Sequence, residues 1–197
     1  MSRRRTPRWL KLTGLALVFT ALAVWSINQL LVGRVLDSYQ GVPVRSNGFL
    51  FFQGHGRHYA TDGYYYGQRW QCTEFIKRFF HDAKGHHMPD VWGHARTFFD
   101  PEVSQGGLNP RRGLGQFQNG GAEPPRPDDL LVFTDTTYGH VAIVTAVRSD
   151  AVEVIQQNVV GRTRQAFVLR ASGGSYSIVS PRQPAGWLRL PATSKQT

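Results

Sequence analysis

The sequence is poor in cysteine, and this shortage limits the chemistry that the chain can carry. Its 197 residues include one cysteine, Cys72, so an internal disulfide is excluded. If a thiol reacts in this protein, Cys72 is the only candidate for it. A lone cysteine is otherwise a typical buried packing residue, and composition alone favours that interpretation.

Acidic residues are also scarce, since 13 of them oppose 23 lysines and arginines, for a formal net charge of +10. Half of this excess lies in the first eleven residues, at Arg3, Arg4, Arg5, Arg8 and Lys11, all before the first acidic residue. The rest is spread along the chain, without arginine runs interleaved with aromatic residues. The distribution argues against nucleic acid as a partner and suits an anionic membrane or a polyanionic cell wall.

An uncharged stretch rich in leucine, alanine and valine covers residues 12–32, directly after the basic cluster. As a helix it would extend about 31 Å, close to the thickness of a bilayer core. We predict that residues 1–33 are a cytoplasmic basic tail and a membrane anchor. The positive-inside rule then places residues 34–197 on the extracytoplasmic, periplasmic side of the inner (cytoplasmic) membrane, in a single-pass topology. A signal peptide cleaved near Ala23 is the alternative.

The remaining chain has the composition of one folded domain, with 41% hydrophobic and 12% aromatic residues overall. Apolar residues at helical spacing predict a helix over about residues 71–83, ended by Gly85, and a second over 91–99. Residues 101–129 hold six glycines and five prolines and predict a long loop, a candidate lid. Apolar runs then predict strands at 130–134, 140–147, 152–159, 166–169, 175–179 and 187–190. Helices followed by an antiparallel sheet indicate an α+β fold.

Two residue types with matching chemistry begin two of these elements. Cys72 lies in the first turn of the predicted helix, where free backbone N–H groups and the helix dipole should lower the pKa of its thiol. His140 begins a strand directly after a glycine, a position open to a cleft. A thiol and an imidazole, with a third side chain to orient the imidazole, form the outline of a cysteine amidohydrolase.

Candidates for the third side chain lie on the next predicted strand, at Gln156 and Asn158. If the strands at 140–147 and 152–159 form a hairpin about Ser149, His140 lies opposite Asn158. Gln156 then shares the face of Asn158, because the side-chain period of a strand is two residues. A slip of one residue would turn both amides to the other face.

These segments resemble the CHAP family, the cysteine, histidine-dependent amidohydrolases and peptidases. The likeness runs from about residue 45 to 190, and within the family it is greatest to amidase domains of the glutathionylspermidine synthetase/amidase type. It rests on the segments 67–79, 139–144 and 156–159, together with the pair Gly186-Trp187. The resemblance implies a papain-like α+β fold for residues 34–197.

The resemblance also implies roles for four residues. Cys72 would be the nucleophile and His140 the general base and acid, while Gln156 would orient the imidazole and Asn158 would assist near the substrate or the imidazole. The amidases that the chain resembles carry glutamate at the position of Gln156. An amide oxygen can still accept the imidazole N–H bond, but it brings no negative charge. Papain-type enzymes use an asparagine there, beside an already ionised thiolate–imidazolium pair.

Residues around the candidate nucleophile are candidates for substrate binding, namely Gln71, Trp70 and Lys77. Packing is an equal alternative for Trp70. Lys77 and Arg78 lie off the apolar stripe of the predicted helix, so a solvated helix face is the simpler expectation for both. Glu74 is expected only to interact with the helix dipole.

No motif for phosphate, nucleotide or metal occurs, and the histidines outside the motif match no compact metal-binding spacing, so we expect no cofactor and no metal. Three functions stay open. The favoured one is a membrane-anchored amidohydrolase of the cell envelope that cuts peptidoglycan or another amide substrate. The others are a small-molecule amidase of the glutathionylspermidine type and a catalytically degenerate envelope binding module. The sequence leaves the oligomeric state undetermined.

Overall fold

The computed structural model describes residues 8–50 and 53–191, and side chains from residue 12 onward. Residues 1–7, with most of the predicted basic tail, lie outside the described residues. Helix α1 spans Arg8–Leu31. Within the described part of the chain it is the one helix long and apolar enough to cross a membrane, over Leu12–Leu31 with a mean hydropathy of 1.7. A signal sequence has the same features, so the anchor and its orientation stay predictions.

A polar residue near the end of α1 joins this helix to the rest of the fold. Asn28 is fully buried, and its Oδ1 accepts hydrogen bonds from the backbone N–H groups of Phe49 and Leu50, at 2.9 and 3.2 Å. Gly48 has φ +75°, and a Cβ there would collide with the Asn28 side chain. The last turns of the apolar helix are therefore packed against the body.

The body combines helices and strands, as the sequence predicts. Two small hairpins come first, β1 (Val35–Tyr39) with β2 (Val42–Arg45), and β3 (Arg57–Tyr59) with β4 (Tyr65–Gln68). Helix α2 (Cys72–Lys84) and a 3₁₀ turn (Ala95–Phe98) follow. The later strands are β5 (Leu108–Asn109), β6 (Leu114–Gln118), β7 (Leu130–Phe133), β8 (His140–Val147), β9 (Ala151–Ile155), β10 (Arg164–Ser172), β11 (Ser175–Val179) and β12 (Gly186–Arg189). They form one antiparallel sheet in the order β11-β10-β9-β8-β7-β12-β6-β5.

Helix α2 forms where its apolar spacing predicts it. Phe75, Ile76, Phe79 and Phe80 are all fully buried against one face of the sheet. Burial of side chains of this size contributes about 1.5–3 kcal/mol each. The helix ends at Gly85, which adopts the left-handed conformation and donates its N–H to the carbonyl of the last turn, as a Schellman-type end requires.

Strand β8 is central in the sheet, which its apolar sequence on both faces predicts. Val141 and Ile143 pack in the cluster beneath α2, whereas Ala142 and Val144 belong to a second cluster on the opposite face. The second cluster also contains Trp187 of β12, fully buried. The sheet therefore carries a buried cluster on each face, and His140 stands at the start of a strand whose next four residues are all buried.

The predicted second helix is wrong in length, because only the 3₁₀ turn at Ala95–Phe98 forms within residues 91–99. Trp92, expected to point inward, is 59% exposed. The guanidinium of the buried Arg112 accounts for the difference, since it donates to the carbonyls of Asp90, Trp92 and Thr97, among them carbonyls that a helix would have used.

The predicted long loop at residues 101–129 is also partly wrong. It contains β5 and β6, and β6 pairs with the final strand β12 inside the main sheet. Leu114 is fully buried there. The many glycines and prolines favoured a loop, whereas β6 forms because it pairs with β12, about 70 residues later in the chain. Local composition contains no information about such a distant partner.

Candidate active site

One cleft of about 870 Å³ brings the two candidate catalytic elements together. Cys72 at the start of α2 and His140 at the start of β8 both line it, with Asn158 and Lys77. Gly139 makes this approach possible, because it has φ +71° and a Cβ there would lie 2.5 Å from the Arg96 nitrogen and from the Phe133 carbonyl oxygen. The strand could not enter the cleft at this angle with a larger residue before His140.

The thiol of Cys72 is not acidified in the way that its helix position predicts. Burial raises its pKa to about 11. Backbone N–H groups of Val141, Thr73 and Cys72 itself, and the positive charge of Arg182, act in the opposite direction but are outweighed. The expectation of a lowered pKa is therefore wrong for the resting site, because loss of hydration exceeds the effect of the helix start.

The imidazole of His140 is held by the side chain of Gln156. Its Nε2 lies 2.9 Å from Gln156 Oε1. Burial lowers the pKa of His140 to about 4, although the bond to Gln156 acts to raise it. With Nε2 engaged by the amide, Nδ1 is the nitrogen left for proton exchange with the thiol.

The Gln156 amide is oriented by two further contacts. Its Nε2 donates toward the Arg162 carbonyl at 3.5 Å and the Gln165 Oε1 at 3.4 Å. Both partners are acceptors, so the NH₂ group belongs on that side and the oxygen faces the imidazole. The reversed amide, which would oppose the required tautomer, has no support in this arrangement.

The hairpin register follows the prediction, but its consequence for His140 does not. Ile143 pairs with Ile155 and Val144 with Val154, as a turn about Ser149 requires. Strand β9 ends at Ile155, and the chain then turns through Asn158, whose φ is +64°. Gln156 therefore reaches the imidazole instead of Asn158, the residue that the extended register places opposite it.

Asn158 organises the other side of the cleft. Its Nδ2 donates to Gln71 Oε1 at 2.6 Å, and its Oδ1 accepts from Asn47 Nδ2 at 3.1 Å. Gln71 in turn donates from Nε2 to the Gln53 carbonyl at 3.2 Å. The two predicted site residues Asn158 and Gln71 thus form one amide chain beside the thiol.

Gln157, the residue between Gln156 and Asn158 in the sequence, is buried, and the sequence analysis assigned it no role. Its Nε2 donates to Glu74 Oε2 at 2.7 Å and to the Gln71 carbonyl at 2.9 Å. Its Oε1 accepts from the Arg45 backbone N–H at 2.7 Å. The three consecutive amides Gln156, Gln157 and Asn158 thus contact His140, Glu74 and Gln71, respectively. The Gln-Gln-Asn run was the sequence signal available for Gln157.

Glu74 and Arg78 form a buried ion pair behind the candidate nucleophile, so both expectations for them are wrong. Glu74 is fully buried, Arg78 is 4% exposed, and Glu74 Oε1 lies 2.7 Å from Arg78 Nε and 2.7 Å from His58 Nδ1. Burial opposes ionisation of Glu74, yet hydrogen bonds from His58 and Arg78 keep its pKa below the ordinary value. Their i, i+4 spacing was the sequence signal.

Lys77 lines the cleft, as predicted for a substrate-binding residue, but a solvated helix face is wrong for it too. It is 3% exposed, and its Nζ donates to the Val91 carbonyl at 2.6 Å and lies 4.7 Å from the centroid of the Tyr65 ring. Burial lowers the pKa of Lys77 to about 8. Trp70 is not among the lining residues and packs between His58 and Arg45.

A second cation in the cleft, Arg182, had no sequence signal. It lines the cleft and forms a two-bond pair with Asp135, at 2.7 and 2.8 Å. Among the described residues, the one group that offers enough clustered ligand atoms for a metal ion is Asp62, His81 and His87, and none of these lines the cleft. The cleft itself is lined by a thiol, an imidazole and two cations, at Cys72, His140, Lys77 and Arg182.

Comparison with known proteins gives a family match over part of the chain. A family model described as the CHAP domain matches residues 62–158, the span that contains Cys72 and His140. The resemblance noted from the sequence motifs is confirmed.

Several curated proteins are also similar to this chain. The bifunctional glutathionylspermidine synthetase/amidase of Escherichia coli (strain K12) is 35% identical over 108 residues, which are 50% of this chain and 17% of that protein. Trypanothione synthetase of Crithidia fasciculata is 26% identical over 164 residues, 76% of this chain and 25% of that protein. The chain thus spans a quarter or less of the length of these relatives. The matches support an amidohydrolase.

Proposed function

We propose that this chain, whose residues 62–158 match a model of the CHAP domain, is an envelope amidohydrolase that cuts an amide bond in carboxylate-bearing peptides such as those of peptidoglycan. The single observation that carries the proposal is the shared cleft, in which a thiol, an imidazole oriented by an amide, and two cations are placed together.

The chemistry proceeds through the thiol and the imidazole. His140 removes the proton as Cys72 Sγ attacks the amide carbonyl carbon, and then gives that proton to the nitrogen as the C–N bond breaks. Water, deprotonated by His140, hydrolyses the thioester and restores the thiol. Because burial disfavours both charged forms in the resting site, proton transfer accompanies attack and no preformed ion pair is needed.

The charge of the cleft favours an anionic substrate. Lys77 and Arg182 line it, and among its described lining residues none is an aspartate or a glutamate. Asp135 pairs with Arg182 from outside this lining, so Lys77 is the cation that carries the argument. A carboxylate gains from this field, whereas the cationic polyamine part of a glutathionylspermidine molecule is repelled by it. Stem peptides of peptidoglycan carry free carboxylates next to amide bonds and therefore fit the cleft.

The packing of α1 supports action near a membrane surface. Asn28 fixes the end of the apolar helix to the body, and Leu31, the last residue of that helix, lines a groove of about 270 Å³ with Leu36, Phe49 and Val160. Val160 also lines the main cleft. With α1 in the inner membrane, this apolar groove would lie at the membrane surface and the cleft would open close beside it.

The test uses the full chain in detergent, incubated with purified peptidoglycan sacculi, with Cys72→Ala as its matched control. We expect new amine termini from the native chain alone, and the fragment masses identify the bond. Glutathionylspermidine is assayed in parallel, because the relatives' names include an amidase for it. Hydrolysis of that compound with intact sacculi would replace our proposal by the small-molecule amidase, and no hydrolysis of either would favour the degenerate binding module.

A further inference from the structure

A cluster of two histidines and one carboxylate lies outside the cleft, between the β3–β4 turn and the end of α2. Asp62 Oδ2 lies 3.0 Å from His81 Nε2 and 3.3 Å from His87 Nε2, and all three ligand atoms are within 4.8 Å of one another. His81 is mostly buried, with 17% of its side chain exposed, whereas about half of each of the other two side chains is exposed. One point in space is thus faced by three potential ligands.

These separations are those of a small coordinated cation. Zinc binds imidazole nitrogen and carboxylate oxygen at about 2.0–2.2 Å in tetrahedral geometry, which places neighbouring ligand atoms about 3.3–3.4 Å apart. The separations of 3.0 and 3.3 Å therefore need little adjustment to become two edges of such a tetrahedron. The two histidine nitrogens, within 4.8 Å of each other, would form the third edge once an ion draws them to that spacing. The exposed side of the cluster leaves room for water at the fourth position.

The surroundings of His81 prepare its Nε2 as a ligand. Its Nδ1 lies 2.7 Å from Asp82 Oδ1, and this oxygen also accepts the Tyr66 hydroxyl. A carboxylate can only accept, so Nδ1 carries the hydrogen, and in the neutral ring Nε2 presents a lone pair. A carboxylate behind a ligating histidine is the usual outer partner of a zinc site.

The other ring nitrogen also faces a carboxylate, since His81 Nε2 lies 3.0 Å from Asp62 Oδ2. By the same reasoning, either a second proton on the ring or a metal ion must lie between these two atoms. The metal ion also uses His87, whose ring lies 4.5 Å from that of His81, centroid to centroid.

We propose that Asp62, His81 and His87 bind a divalent transition-metal ion, with Zn²⁺ as the best fit to two imidazoles and one carboxylate. The sequence predicted no metal, because the spacing of the histidines matches no compact metal-binding motif; Asp62, which lies 19 residues before His81, was not considered. The ion would tie the β3–β4 turn to the end of α2. Strand β4 carries Tyr65, a wall of the cleft, so the ion would stiffen that wall without entering the chemistry.

The experiment uses the full-length Cys72→Ala chain in detergent without a histidine tag, so that the cleft thiol cannot hold the probe. Zn²⁺ binding is measured by titration calorimetry, and Co²⁺ is added as a spectroscopic substitute. We expect one equivalent of Zn²⁺ and a visible Co²⁺ absorption band typical of tetrahedral coordination. Adding His87→Ala or Asp62→Asn should weaken Zn²⁺ binding at least tenfold and remove the band.

The matched control is His94→Ala, which removes an exposed histidine outside the cluster. It should leave the stoichiometry, the affinity and the Co²⁺ band unchanged. Thermal unfolding separates binding from folding, since Zn²⁺ should raise the melting temperature of the parent but not of the Asp62→Asn variant. Equal Zn²⁺ binding by parent and cluster variants, or no binding by the parent, would overturn the proposal. Neither result bears on the amidohydrolase assay, which depends on Cys72.

Discussion

The groups on the two sides of the first turn of α2 differ in whether burial leaves them neutral or ionised. On the cleft side, Cys72 and His140 are partly buried beside an uncharged amide, and loss of hydration moves the pKa of both toward the neutral form. On the inner side, Glu74 is at least as buried, but Arg78 and His58 contact it and its pKa is lowered, so that it stays ionised.

The difference shows that the partner, and not the depth of burial, decides ionisation at this helix start. Desolvation acts on every group there, and a charged or donating neighbour outweighs it only on the inner side. Lys77 and Arg78, adjacent in sequence, repeat the contrast. Arg78 has the Glu74 carboxylate, whereas Lys77 has a carbonyl and an aromatic ring, and its pKa falls to about 8.

The largest expected effect comes from removing the thiol while keeping its shape. Cys72→Ser should lower amide hydrolysis by at least about 10⁴-fold, roughly 5 kcal/mol of transition-state stabilisation. An uncharged His140–Gln156 pair is too weak a base to activate a hydroxyl in place of a thiol. Initial rates on the substrate found in the sacculus assay measure this. Retention of more than about a hundredth of the activity would show that Cys72 is not the nucleophile.

Removing the buried ion pair between Glu74 and Arg78 should reduce the stability of the protein and not its activity. Glu74→Gln leaves Arg78 buried without its counterion and should lower the free energy of unfolding by about 3–5 kcal/mol. Glu153→Gln is the matched control, because it removes a surface ion pair with Arg148 and should cost about 1 kcal/mol or less. Chemical denaturation of both variants in the same detergent gives the comparison. Equal losses would mean that the buried pair has no special role.

The ion pair also predicts the direction of acid sensitivity. Because the folded-state pKa of Glu74 lies below its ordinary value of 4.5, its stabilisation is complete above that pH. It is lost as the pH falls through the lower, folded-state pKa. Stability of the native chain should therefore decline below about pH 4.5, and the decline should be smaller in Glu74→Gln. Thermal unfolding from pH 6 to pH 3 measures it, and parallel curves would contradict the assignment.

A carboxylate introduced on the cleft side should favour the charged forms of Cys72 and His140, as Arg78 and His58 favour ionised Glu74 on the inner side. Gln156→Glu puts a carboxylate on His140 Nε2, which raises the pKa of the imidazole and favours the thiolate of Cys72. We expect alkylation of Cys72 by iodoacetamide at pH 7 to become about tenfold faster, since one pKa unit is a factor of ten. Gln156→Met, which removes the acceptor, is the control and should react no faster than the native chain. Slower alkylation of the glutamate variant would contradict the comparison.

The smallest expected effect concerns Lys77, the cation without a carboxylate. Its charge is lost as the pH rises through about 8, so KM for a carboxylate-bearing peptide should increase above that pH. Lys77→Met should raise KM about fivefold at pH 7, roughly 1 kcal/mol, and remove the pH step. The same peptide with its carboxylate amidated is the control substrate and should be indifferent to both changes. An equal response of the two peptides would remove Lys77 from substrate binding.

Local patterns were sufficient for the elements that carry the candidate catalytic residues. The spacing of Phe75, Ile76, Phe79 and Phe80 predicts α2 and places Cys72 in its first turn, and the helix is observed there. The two-faced apolar run after His140 predicts a central strand, which β8 is. Patterns of this kind depend on neighbours within one or two helical turns or one strand, so a single sequence contains them.

The sequence by itself thus determined the mixed helix and sheet fold, the start of α2 and β8, and the family motif. The family resemblance already assigned Gln156 to the imidazole. Only the tertiary structure decided that the chain leaves the extended register after Ile155, so that Asn158 does not lie opposite His140, that Glu74, Lys77 and Arg78 are buried, and that burial raises the pKa of Cys72. The physical reason is the separation along the chain over which each interaction acts. Hydrophobic periodicity acts between near neighbours, whereas desolvation and ion pairing at this site depend on residues such as Gln157, which lies 83 positions from its partner Glu74.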